Sequence, residues 1–88
     1  MKPKKTKPLD IVLIEWIDAQ SYNLSQPNVP IEDLKEERPI LTKSVGFLVS
    51  ENEDCYVIAD ELWEETEEVR WIHIIPKCCV KEIRRVKL

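Results

Sequence analysis

An all-β fold is what this chain of 88 residues predicts, and three observations carry the prediction. The apolar residues fall in short runs of β-branched and aromatic types, such as Ile11 to Ile17 and Val69 to Ile75, which suit a pleated surface and are too short for a stable isolated helix. From Ile40 to Ser50 the chain alternates residue by residue, the period of a strand with one buried face. Turn chemistry punctuates the runs, above all Glu51-Asn52-Glu53-Asp54 and Pro76. At this length there is room for one core and no second domain.

Taken in order, residues 1 to 8 hold four lysines and two prolines and nothing that anchors in a core, which predicts a flexible basic arm ahead of a single domain over 9 to 88. Ile11 to Ile17 is a largely buried first strand with Ile14 and Trp16 on one face. Asp18 to Pro39 is a long loop, rich in Ser, Asn and Pro, in which Pro30 opens a helical stretch of one or two turns. In the next strand Leu41, Val45, Phe47 and Val49 form the apolar set, with Gly46 marking a bend or a close backbone crossing. A hairpin leads to Cys55 to Ala59. Asp60 to Glu68, nine residues with six carboxylates, reads as an exposed acidic connection, since such a run repels itself along a helix. Val69 to Ile75 is a strand buried on most of both faces, Lys77-Cys78-Cys79 allows a 3₁₀ turn, and Val80 to Leu88 is the last strand. The expected core is Trp16, Val45, Phe47, Ile58, Trp71 and Ile83. Five strands with this punctuation predict a small SH3-like or Sm-like barrel, with a long loop after the first strand and a single 3₁₀ turn before the last.

Three segments, Trp16-Ile17-Asp18-Ala19, Ser44-Val45-Gly46-Phe47-Leu48 and Ile74-Ile75-Pro76-Lys77 followed by Lys81-Glu82-Ile83, resemble small phage and prophage proteins of unknown function. The resemblance implies a shared barrel and a mobile-element origin. It implies no activity and no functional residue.

Charge is strongly partitioned along the chain. Residues 1 to 8 carry four lysines and no acid, 51 to 68 nine acids and no base, and 69 to 88 six bases against Glu82, so basic ends flank an acidic middle within a net charge of -4. Uninterrupted apolar runs such as Ile11 to Ile14 are far below the ~20 residues that span a bilayer, and no signal peptide is legible. A soluble, cytosolic protein is expected, with its three cysteines reduced because an odd number cannot all pair and Cys78 and Cys79 are adjacent.

The composition argues against an enzyme. One glycine excludes phosphate-binding and dinucleotide loops, and a single histidine excludes a His-based acid-base pair. His73 with Cys78 and Cys79 matches no zinc spacing, and the glutamates of 64 to 68 lack the glycine and alternation of a calcium loop, so no metal and no cofactor is expected. What remains is recognition. Tyr22 in the long loop and Trp63 among glutamates are the aromatics expected on the surface, and with Glu64, Glu65, Glu67 and Glu68 they form the candidate partner-binding set. Aromatic rings pack on proline while carboxylates meet Arg or Lys, which points to a basic or proline-containing protein partner. The alternative is a nucleic-acid binder using the basic arm and last strand, disfavoured because an acidic chain repels a polyanion.

Overall fold

In the computed structural model, which describes residues 8 to 19 and 28 to 87, five antiparallel strands form one sheet. The strands are β1 (Ile11–Asp18), β2 (Ile40–Glu51), β3 (Cys55–Trp63), β4 (Glu68–Pro76) and β5 (Val80–Arg85), in the spatial order β4-β3-β2-β1-β5. No α-helix occurs among the described residues; short 3₁₀ turns lie at Ile31–Leu34, in the long loop, and at Lys77–Cys79, directly before β5. The sheet is open, with β4 and β5 at its edges. Of the basic arm only Pro8 falls among the described residues, and Tyr22 lies outside them.

Side chains on a strand alternate between faces, and directly opposed residues share a face, so the register sorts the sheet into two surfaces. One surface carries the core. Val12, Ile14, Ile58 and Ile75 are fully buried on it, with Trp16, Leu48, Tyr56, Val80 and Ile83 packed around them. Ile14 pairs with Ser44 and Ile83, Val12 with Gly46, and Leu48 with Ile58. The first strand, Ile58 and Ile83 therefore sit as the sequence predicts.

Strand β2 does not. The face that turns inward is Ser44, Gly46 and Leu48, and the more apolar set is turned out, leaving Val45 54% exposed and Phe47 half-buried. Two contacts explain the inversion. The indole Nε1 of Trp16 donates to Ser44 Oγ at 3.0 Å, which answers a polar group that is half-buried against the core. At Gly46 a Cβ would stand 2.7 Å from the carbonyl oxygen of Ala59, so β2 and β3 approach too closely there for any side chain. Beyond Leu48 the pairing with β3 slips by one residue at Val49, a bulge that resets the alternation.

The acidic stretch is likewise not a connection. Asp60 to Trp63 complete β3, Glu68 begins β4, and only Glu64 to Glu67 turn between them. Residues of β4 make strand pairing tolerable: the Arg70 cation, its Nε 3.4 Å from Glu61 Oε1, offsets one carboxylate, and the His73 ring stands beside Asp60, Nε2 3.8 Å from Oδ1. Glu67 closes the turn with φ 55, a left-handed conformation that costs a non-glycine residue about 1 kcal/mol.

Trp71, expected in the core, is 60% exposed and also left-handed, with φ 61. It stands opposite Asp60 at the one interruption in an otherwise continuous β3–β4 register. The earlier hairpin is as its sequence predicts: Asn52 Oδ1 accepts from the backbone N–H of Asp54 at 2.7 Å and of Cys55 at 3.0 Å, an Asx turn that joins β2 to β3.

Candidate functional site

The β3–β4 hairpin gathers most of the residues singled out as partner-binding. Trp63 ends β3 and pairs directly with Glu68, the first residue of β4, while Glu64, Glu65 and Glu67 occupy the turn between them. All five are exposed, Trp63 by 51%. Their proximity follows from hairpin geometry, since a four-residue turn holds its flanking residues about 5 Å apart. Tyr22 lies outside the described residues and is not placed.

Two concave surfaces adjoin the tip. One, of about 430 Å³, has an apolar floor of Pro8, Leu9, Val49, Leu62 and Val69, with Glu64 and Glu67 on its rim. Leu62 and Val69 are a directly opposed pair at the base of the turn, and Val49 is the residue that the β2 bulge leaves unpaired. The other is shallower and is bounded by Trp63, Glu64, Glu65 and Thr66.

The sequence reading missed Arg70 and Trp71. The guanidinium of Arg70 lies 5.7 Å from the Trp63 ring centroid and 5.3 Å from that of Trp71, within cation–π range of both, while it also meets Glu61. The left-handed backbone at Trp71 is what brings a ring from the neighbouring position to the same guanidinium. Trp63 is thereby held as a braced, half-exposed ring. A signal for Arg70 alone was present, because reading Glu64 to Glu67 as a turn sets Glu61 opposite it at once. The acidic tip also contains its own cation, which the linear charge count placed in the basic C-terminal block.

Elsewhere the chemistry is structural. The ammonium of Lys77 sits 2.7 Å from Glu51 Oε2 and 4.9 Å from the Tyr56 ring centroid, and the hydrogen bond to Glu51 raises its pKa above the ordinary lysine value. Asp10 does the same for Arg85 through a 2.7 Å bond, which ties the segment before β1 to the end of β5. The Cys78 and Cys79 sulfurs lie 3.9 Å apart, and their hydrogen bond pushes the Cys79 thiol upward, away from the thiolate that a nucleophile needs. Among the described residues no three His, Cys, Asp or Glu side chains come together as a metal site, and no helix is long and apolar enough to cross a membrane.

Comparison of the chain with protein families, with curated proteins and with solved structures returns no match.

Proposed function

We propose that this protein is a non-enzymatic interaction module of SH3-like small-barrel type, akin to the small phage and prophage proteins its sequence resembles, and that the β3–β4 hairpin tip binds a basic, proline-containing segment of a partner protein. The observation that carries the reading is the half-exposed Trp63 at the hairpin tip, with Glu64 and Glu65 beside it on one concave surface and Glu68 paired directly to it. Proline packs on the ring, and Arg or Lys meets the carboxylates. The barrel assignment is supported by the strand order, in which β5 returns to pair with β1 after a single 3₁₀ turn. Nucleic-acid binding is the weaker reading, because Lys77 and Arg85 in the basic C-terminal block are already engaged by Glu51 and Asp10.

Fluorescence anisotropy with a labelled Arg- and Pro-containing peptide, an acidic counterpart and single-stranded DNA tests the assignment. The basic peptide should bind with a dissociation constant that rises at least about tenfold in Trp63→Ala and in a variant with Glu64, Glu65, Glu67 and Glu68 all changed to Gln, while any DNA binding tightens in the latter. Undiminished peptide binding by both variants, each folded, would refute the hairpin-tip reading; tight DNA binding by the wild type would favour the alternative.

A further inference from the structure

The segment that leads into β1 is pinned at the mouth of the apolar groove beside the hairpin tip. The backbone carbonyl of Asp10 accepts from the Leu48 N–H at 2.8 Å, and its carboxylate accepts from Arg85 Nε at 2.7 Å, so the chain is held on both flanks two residues past Pro8. Leu9 is half-buried, and Pro8 and Leu9 line the groove together with Leu62, Val69, Glu64 and Glu67. One wall of the groove is thus built from the chain's own leading segment, and whatever precedes Pro8 sets out from that wall.

What precedes Pro8 has the chemistry that the tip accepts. Residues 1 to 7 hold Lys2, Lys4, Lys5 and Lys7 with Pro3 and carry no acid, whereas residues 64 to 68 hold four glutamates and no base. The hairpin's own guanidinium, that of Arg70, lies 3.4 Å from Glu61. Lys7 is bonded directly to a groove residue, and seven residues span at most about 25 Å when fully extended, so the four lysines stay close to these carboxylates. A ligand tethered this closely meets its site at an effective concentration in the millimolar range, and a contact too weak to hold between separate molecules suffices within one. Glu64 lines both this groove and the shallower surface that carries Trp63, so an arm seated here takes a carboxylate from the partner surface.

We infer that the basic arm of the same chain, residues 1 to 7, seats on this groove as its resident ligand, with its lysines against the carboxylates of the turn, and that a basic partner must displace it. The displacement rests on the hairpin-tip reading above; the seat does not.

Zero-length carbodiimide cross-linking of the full chain, followed by peptide mapping, reads the seat. Within the monomer, amides should join Lys4, Lys5 or Lys7 to Glu64 or Glu67. Anisotropy of the labelled Arg- and Pro-containing peptide reads the displacement. Changing Lys4, Lys5 and Lys7 to Gln in the full chain should tighten peptide binding about three- to tenfold, because the competing ligand is gone. Changing Lys81, Arg84 and Lys87 to Gln removes the same charge from β5 and the residues after it, at the sheet edge opposite β4, and should move the affinity less than about twofold. Equal effects of the two triple variants, or arm cross-links that form only between two copies or only to carboxylates away from the turn, overturn the inference. Absent arm cross-links with peptide binding intact overturn it and leave the hairpin-tip reading standing. If no form of the chain binds the peptide, that reading fails together with the displacement, and the cross-links still decide the seat.

Discussion

Ile58→Ala should lower the unfolding free energy by about 2 to 5 kcal/mol, among the largest effects expected of a single truncation in this chain. Ile58 is fully buried, lies on an inner strand, and pairs with Leu48 on one side and His73 on the other, so the cavity left behind has little freedom to collapse. A domain of this size has a total stability on the order of 5 to 10 kcal/mol, and the variant should be substantially unfolded near 37 °C. The informative comparison is with strand β2. Val45→Ala should cost less than about 1 kcal/mol and Phe47→Ala an intermediate amount. If Val45→Ala proved as costly as Ile58→Ala, β2 would have to turn its other face to the core.

Gly46→Ala should cost about 2 to 3 kcal/mol, although alanine is the better residue in nearly every other strand position. The new methyl would sit 2.7 Å from the Ala59 carbonyl oxygen, a backbone atom that cannot swing aside, and relief requires β2 and β3 to separate. That figure includes the about 0.4 to 1 kcal/mol that alanine returns by restricting the unfolded chain. Amide exchange at the β2–β3 pairs around Phe47 and Ala59 should accelerate in parallel. A neutral or stabilising outcome would mean that the two strands are farther apart than described.

What the sequence disclosed, and what it hid, divides along local and cross-strand chemistry. Asn52 announces its hairpin because an Asx turn is complete within four residues, and Pro76 announces the 3₁₀ step in the same way. The facing of β2 was concealed because both alternations hold apolar residues, and the one that turns inward is selected by Trp16 seeking a hydroxyl 28 positions away and by the Ala59 carbonyl pressing on Gly46. The acidic hairpin was concealed for a related reason: its six carboxylates repel along the chain, and the Arg70 that offsets Glu61 arrives only from the opposite strand. At the site, Trp63 and its neighbouring glutamates were legible from exposure and charge alone. The brace formed by Arg70 and Trp71 was not, since it depends on a left-handed backbone that no pattern of residue types at that position signals.

Strand β1 lies between β2 and β5, and its tie to the latter, from Asp10 to Arg85, spans 75 positions. At translation rates of about 5 to 20 residues per second, one edge of β1 waits roughly 4 to 15 seconds for its partner to be made. Hairpins form in microseconds, so β2, β3 and β4 each pair as they are made, the last of them with only nine residues still to be added before Arg85. The nascent chain thus carries a four-stranded intermediate whose open edge is β1, bearing the most apolar strand of the protein. Premature termination within Val80–Arg85 would fix that edge open permanently, and the truncated product would be a template for aggregation rather than a merely weakened domain.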